Sequence, residues 1–230
     1  FCLERAKALS EHADVRVMVT TPFFPDWLPG MSGWRKWSKV ERQGKTPQGI
    51  PVTYPRYLSI PGTATWLQGT AMAYCAKKEL ASYDNHWQPD VIDGHFAFPD
   101  GFAATKLGKA TGIPTVITCH GSDLRQYPEI PVAGSMTRWT LRHCDRAISV
   151  STDLLSRSQE LGCSPNKAVF LTNGVDATKF AVRSQLECRH RLGLPADRKI
   201  GVFVGFLIDR KDQSLVLRAA YQIRNRGLIP

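Results

Sequence analysis

A short apolar segment that ends in a polar cluster constrains the fold of this chain more than any other feature. The segment Pro114-Thr-Val-Ile-Thr-Cys-His120-Gly-Ser-Asp123 has the β-branched composition of a buried strand and stops at a histidine. Three other segments end similarly: Asp90-Val-Ile-Asp-Gly-His95, Arg146-Ala-Ile-Ser-Val-Ser151 and Lys167-Ala-Val-Phe-Leu-Thr-Asn173-Gly174. Ligands bind beyond the carboxyl ends of strands in an open parallel sheet. We therefore expect His95, His120, Ser151 and Asn173 to share one cleft.

Helical patterns alternate with these strands. Helices are predicted near residues 1–12, 64–82, 100–111, 134–144, 151–161 and 184–192, with an additional strand over 14–20 and irregular structure over 21–50. Alternation of strands and helices favours right-handed βαβ units and a parallel sheet. The sequence therefore predicts an α/β fold with a doubly wound parallel sheet.

The composition is that of a globular protein. The 230 residues are 43% hydrophobic, and charged residues interrupt the first ten positions where a signal peptide would be apolar. There is no run of 18 apolar residues, so we predict a cytoplasmic protein. The six cysteines lack the spacing of a zinc site or a disulfide framework, and we expect reduced thiols and no bound metal.

The net charge of +10 favours anionic partners, such as nucleotide phosphates, nucleic acid or an anionic membrane surface. No basic region with heptads, aromatic ribonucleoprotein motif or zinc finger is found, which makes nucleic acid the weaker candidate.

Changes in composition suggest two domains. We predict a first domain over 1–173, a polar linker over 174–198, and the start of a second domain over 199–230, with a strand at 199–205 and a helix from Asp212. One strand and one helix cannot bury a core. We therefore expect the chain to be part of a longer protein, without its first strand and most of its second domain.

Five short motifs, in a fixed order, then identify a family. They are His95-Phe-Ala-Phe-Pro-Asp-Gly101, His120-Gly-Ser-Asp123, Ser149-Val-Ser151, Asn173-Gly-Val-Asp176 with Phe180, and Val204-Gly205 followed by Lys211. In these motifs the chain resembles the family 4 glycosyltransferases of the two-domain GT-B fold, particularly the branch that builds cell-surface polysaccharides. The resemblance implies Rossmann-like domains and a hexosyltransferase that uses a nucleotide-diphosphate sugar as donor, with retention of configuration and without a cofactor.

The resemblance also assigns roles to residues. It places His120 near the donor sugar and the acceptor hydroxyl as the catalytic residue, with His95, Ser122 and Asp123 on the acceptor side. It assigns donor binding to four residues: Asn173, Gly205, Arg210 and Lys211. Ser122 and Asp123 could equally be turn or cap residues. The acceptor would be a saccharide or a lipid-linked saccharide.

Two positions depart from the family pattern. Phe206 stands where an arginine usually follows the glycine, and Asp212 stands where a glycine usually follows the lysine. One phosphate contact is therefore missing, and either Arg210 replaces it or the donor site is weakened. We also expect residues 1–230 alone to be inactive, because the donor is held chiefly by the second domain.

A loop over 23–39 combines three tryptophans with lysine and arginine. Such a loop suits the interface of an anionic membrane, and equally a cover over the core. Two other functions stay open at this point: a sugar-nucleotide epimerase of the same fold, and a non-catalytic basic module that binds membranes.

Overall fold

The computed structural model describes residues 2–24, 39–59, 65–83 and 87–227. The chain divides into two compact units, Phe1–Gly174 and Val175–Pro230. Among the described residues, no helix has both the length and the apolar character needed to span a membrane.

The first unit alternates strands and helices in its second half. Its elements are α1 (Cys2–Ser10), β1 (Val17–Met18), β2 (Thr21–Phe23), β3 (Gln43–Lys45), β4 (Pro51–Thr53), β5 (Arg56–Leu58), α2 (Thr65–Leu80), β6 (Ile92–His95), α3 (Asp100–Thr111), β7 (Thr115–Cys119), α4 (Ser122–Arg125), α5 (Pro131–His143), β8 (Arg146–Ser149), α6 (Thr152–Glu160) and β9 (Ala168–Phe170). The α/β fold predicted from the alternating pattern is thus confirmed.

Four parallel strands in the order β6-β7-β8-β9 form the main sheet. Thr115, Ile117, Thr118 and Cys119 of β7 are all buried, which shows that both faces of this strand are covered. The strands run in one direction, so their carboxyl ends lie along a single edge of the sheet. This edge carries the polar residues that follow each strand.

Apolar side chains from the sheet and its helices form the core beneath this edge. The largest buried cluster includes Ile117 of β7, Ala147 of β8, Leu141 of α5 and Leu154 of α6. A second cluster joins Phe98 and Phe102 to Ala133 of α5. The strand ends are therefore fixed by packing on helices that come before and after them in sequence.

The region before α2 differs from the sequence prediction. The predicted strand over 14–20 is reduced to β1, and residues 21–50, expected to be irregular, contain β2 and β3. β1 pairs in parallel with β4, and β2 pairs in parallel with β5. Strands of two or three residues are too short to show an alternating pattern, so the sequence could not reveal them. Most of the tryptophan-rich loop over 23–39 lies outside the described residues.

The second unit contains α7 (Gln185–Arg191), a 3-10 helix (Asp209–Lys211) and α8 (Gln213–Asn225). The strand predicted at 199–205 does not form: these residues are described, and they belong to no strand. A strand is defined by hydrogen bonds to a neighbouring strand. The described residues of this unit offer no such neighbour, so the apolar run stays unpaired and Phe206 after it is 81% exposed.

Candidate functional site

Two histidines meet at the carboxyl edge of the main sheet. His95 is the last residue of β6, and His120 directly follows β7. His95 Nδ1 lies 2.9 Å from His120 Nε2, within hydrogen-bond distance, and the two rings are inclined by 21°. The structure thus brings together two of the site residues predicted from the sequence, although 25 positions separate them.

The loop after β6 presents an aromatic ring to this pair. The ring of Phe96 lies 4.9 Å from that of His120, and its backbone has a φ of 67°. A positive φ is uncommon for a bulky residue and requires support from its surroundings. The Phe96 amide donates to the Thr118 carbonyl at 2.9 Å, and its carbonyl accepts from Gly101 at 2.8 Å. A Cβ at position 101 would lie 2.4 Å from that carbonyl oxygen, so glycine is required there.

One buried carboxylate holds the loops after β6 and β7 together. Asp123 Oδ2 accepts from the Ala97 amide at 2.9 Å, while Oδ1 accepts from the His120 amide at 3.1 Å and the Gly121 amide at 2.7 Å. The Asp123 side chain has no exposed surface. The sequence prediction placed it on the acceptor side, but a fully buried carboxylate does not touch a ligand. Asp123 therefore acts through the loops that it holds.

Gly121 allows the turn that starts α4. Its φ of 132° is unfavourable for residues with a Cβ, although no atom would obstruct one. The glycine of the predicted motif is thus needed for its backbone conformation, which lets the 120 and 121 amides converge on Asp123.

An ion pair lies on the other side of His95. Arg5 Nε is 3.2 Å from Asp93 Oδ2, and Arg5 Nη1 donates to Thr118 Oγ1 at 2.6 Å. The same Asp93 oxygen is 3.7 Å from His95 Nε2, which is too long for a direct hydrogen bond. The site thus contains a continuous series of polar groups from Arg5 through Asp93 and His95 to His120.

Sequence reasoning missed both members of this ion pair. Asp93 precedes His95 by two positions in one strand, and residues at that spacing share a face. That signal was available in the sequence. The sequence contains no such signal for Arg5, because Arg5 lies in α1, 113 positions before Thr118.

The surroundings keep both rings neutral. Burial, followed by the Arg5 guanidinium, lowers the pKa of His95 below the ordinary 6.5. Burial and then His95 lower the pKa of His120, and Asp123 opposes this only in part. Burial raises the pKa of Asp93, whereas Arg5 favours its charged form. At neutral pH, both imidazoles can therefore donate one hydrogen bond and accept another.

These shifts predict how stability depends on pH. Because both histidines have a lower pKa in the folded state than in the unfolded state, the unfolded chain binds more protons below about pH 6.5. The free energy of unfolding should thus fall as the pH decreases from 7 to 5. Urea unfolding at several pH values measures this slope. The His95→Gln/His120→Gln double variant should show a smaller slope, and an equal slope would contradict the assignment.

The other predicted residues of this edge have different roles. Ser122 is the first residue of α4 and is partly buried. The Ser151 hydroxyl accepts from the Leu154 amide at 3.2 Å and caps α6, so it acts as a helix cap. Asn173 is exposed, three positions after β9.

The predicted donor residues of the second unit precede α8 in sequence. Lys211 ends the 3-10 helix, and the Asp212 side chain caps α8 by accepting from the Leu215 amide at 3.0 Å. Gly205 lies close to Phe203, whose ring would be 3.3 Å from an added Cβ. Arg210 belongs to the 3-10 helix, and its side chain is outside the described residues.

Cys119 is adjacent to His120 in sequence but belongs to the core. Its side chain is fully buried, and burial raises its pKa well above the usual range of a thiol. Cys119 is therefore an apolar packing residue. Among the described residues, no group of three or more His, Cys, Asp or Glu side chains is arranged to hold a metal ion.

The sequence is similar to those of known glycosyltransferases. The family model described as Glycosyltransferase Family 4 matches residues 1–179. TuaC of Bacillus subtilis (strain 168), named for teichuronic acid biosynthesis, is 29% identical over 206 residues, which cover 86% of this chain and 51% of TuaC. WcaI of Escherichia coli (strain K12), named for colanic acid biosynthesis, is 23% identical over 236 residues, which cover 94% of this chain and 56% of WcaI. The chain thus spans about half the length of these curated relatives.

A solved structure has the same fold. Sucrose-phosphate synthase from Thermosynechococcus elongatus superposes with a TM-score of 0.69 at 15% identity, over 95% of this chain and 52% of that chain. At this identity the likeness concerns the fold alone, and it confirms the predicted α/β fold of the GT-B type.

Proposed function

Because the chain belongs to glycosyltransferase family 4, we propose that it serves to transfer a hexosyl group from a nucleotide-diphosphate sugar to a saccharide or lipid-linked acceptor, with retention of configuration. One observation carries this proposal: a neutral histidine pair, joined at 2.9 Å, lies beyond the carboxyl ends of a parallel sheet. That is where open α/β sheets bind their ligands.

The histidine pair suits chemistry at a hydroxyl group. A neutral imidazole can accept a hydrogen bond from an acceptor hydroxyl or donate one to a sugar oxygen. The ordinary pKa of an imidazole is also close to neutral pH, which suits proton transfer. Phe96 beside His120 adds an apolar ring of the kind that packs on a sugar face. We assign His120 to this contact as the catalytic residue, with His95 and Ser122 on the acceptor side.

The start of α8 suits the donor. Departure of a nucleoside diphosphate develops negative charge, which a lysine and a helix N-terminus stabilise. Lys211 directly precedes the cap of α8, a helix of 13 residues. We assign Lys211 and Gly205 to the diphosphate, Arg210 to the contact that Phe206 cannot make, and Asn173 to the donor as well.

The acceptor class is part of the same proposal. TuaC and WcaI are named for the biosynthesis of teichuronic and colanic acids. We infer a cell-surface saccharide or its lipid-linked precursor as acceptor, at the cytoplasmic face of a membrane. The charge of +10 would favour an anionic lipid surface there.

A transfer assay tests the function and the donor site together. The natural gene product is incubated with labelled nucleotide-diphosphate sugars and a lipid or saccharide acceptor extract. Label in the acceptor fraction is the expected result, whereas label found only in an epimerised donor would instead indicate an epimerase. The polypeptide of residues 1–230 alone should give no transfer, since its described second unit lacks a sheet to hold the donor.

Lys211→Ala should lower turnover at least about tenfold, because losing a charge-assisted contact costs roughly 1.5–3 kcal/mol. Lys199→Ala is the matched control, since Lys199 is an exposed lysine of the same unit. Equal turnover of the two variants would remove Lys211 from the donor site.

A further inference from the structure

The site contains a carboxylate that no step of the proposed transfer uses. Asp93 Oδ2 lies 3.2 Å from Arg5 Nε and 3.7 Å from His95 Nε2. The Asp93 side chain is 25% exposed and that of His95 is 20% exposed, so water screens their contact only in part. Asp93 contacts His95 on the side opposite His120, because His95 bonds to His120 through its other nitrogen, Nδ1.

The hydrogen bond between the rings couples the tautomer of His95 to the tautomer of His120. One of the two facing nitrogens must carry the proton and the other must accept it, because both rings are neutral. If Nδ1 of His95 carried the proton, its Nε2 lone pair would face the Asp93 carboxylate. That arrangement places two electron-rich atoms against each other. If Nε2 of His95 carries the proton, an N–H points at the carboxylate instead, directly or through a bridging water.

The second arrangement also determines the tautomer of His120. With its proton on Nε2, His95 offers an unprotonated Nδ1, so His120 must donate through Nε2–H. Nδ1 of His120 then carries the lone pair. Among the described residues, the fixed charges near the pair are Arg5 of α1, Asp93 of β6 and Asp123 at the start of α4. Asp123 is occupied by backbone amides, which leaves Asp93 as the carboxylate beside a ring nitrogen.

We propose that Asp93, held in place by Arg5, is a positioning residue that fixes the His95–His120 pair in one tautomeric arrangement, with protons on both Nε2 atoms. Arg5 supports this role in two ways: it orients the carboxylate through Nε, and it is itself anchored on Thr118 of β7. The consequence for catalysis, an unprotonated Nδ1 on His120, rests on the proposed function. The tautomer itself does not.

Nitrogen NMR tests the tautomer without any substrate. The chain is labelled with ¹⁵N-histidine, and long-range proton–nitrogen correlations at pH 7.5 show which ring nitrogen carries the proton. His95→Gln and His120→Gln assign the two signals among the six histidines. Both rings of the wild type should show protonated Nε2 and unprotonated Nδ1. In Asp93→Ala, the two arrangements should interconvert, and the Nδ1 signals should move toward the protonated position.

Two further variants keep the test decisive. Asp90→Ala removes an exposed carboxylate just before the same strand and should leave the spectrum unchanged. Asp93→Asn retains the shape of the side chain if Asp93→Ala does not fold, and it should show the same movement to a smaller extent. A protonated Nδ1 on either wild-type ring, or identical spectra of wild type and Asp93→Asn, would overturn the proposal.

Activity separates this inference from the proposed function. If the tautomers are as expected but the gene product transfers no sugar, only the proposed function fails. If transfer occurs and Asp93→Ala changes neither the spectra nor the pH profile of turnover, only the role of Asp93 fails. If both hold, Asp93→Ala should lower turnover at least twofold, since about half of the pairs would then carry the wrong arrangement.

Discussion

Replacing His120 by alanine is expected to lower sugar transfer by about 100-fold or more, the range over which a positioned acid or base contributes. The free energy of unfolding should change by less than about 1.5 kcal/mol, as for a side chain that is only partly buried. The amide of residue 120 still donates to Asp123 when the ring is removed, because that bond uses only the backbone. Activity and stability should therefore separate in this variant.

Turnover per folded molecule and urea unfolding measure the two effects in the same preparation. His12→Ala is the matched control, since His12 is an exposed histidine of the same unit and should have normal turnover. If His120→Ala unfolds easily and its folded fraction keeps wild-type turnover, then His120 merely ends the strand and has no part in catalysis.

The sheet could be predicted from the sequence largely because its strand β7 is almost entirely buried and therefore has a continuous apolar, β-branched sequence. Segments such as 115–119 consist of apolar and β-branched residues that leave few alternatives, and their order along the chain is also their order in the sheet. Once neighbouring strands are parallel, polar residues at their carboxyl ends lie along one edge. His95 and His120 lie at the ends of neighbouring parallel strands, so their contact follows from the order and the direction of β6 and β7.

The remaining parts of the site depend on contacts that sequence patterns do not encode. Arg5 reaches Asp93 from a helix with no buried residues, so neither periodicity nor spacing could indicate the pairing. Asp123 is polar and follows a glycine turn, which is equally the pattern of a ligand and of a loop anchor. Only its burial and its three amide donors decide between them.

The unpaired segment at 199–205 shows a third limit of sequence patterns. Its composition is typical of a strand, like the compositions of the segments that form β7 and β8. Those strands form because each has a neighbour in the sheet. Local propensity for β structure depends strongly on such context, so the same pattern gives a strand in one unit and none in the other.

Replacing Asp123 by alanine should destabilise the chain more than any other single substitution at the site. Three backbone amides, those of Ala97, His120 and Gly121, would lose their acceptor. A buried donor left without a partner costs about 1–3 kcal/mol; the Ala97 bond is buried and the other two are partly buried, so the loss should be about 2 kcal/mol or more. The free energy of unfolding of a typical domain is roughly 5–15 kcal/mol, so this loss would be a large fraction of it.

Urea unfolding at constant pH measures this loss, and two variants calibrate it. Asp153→Ala removes a carboxylate that is 64% exposed and paired with Arg125, and should cost less than about 1 kcal/mol. Asp123→Asn keeps one carbonyl acceptor and should fall between the two. Because Asp123 joins the loops that carry Phe96 and His120, the alanine variant should also lose the hydrogen bond between the histidines when it is kept folded at low temperature. Stability of Asp123→Ala equal to that of Asp153→Ala would show that the loops hold their geometry without this carboxylate.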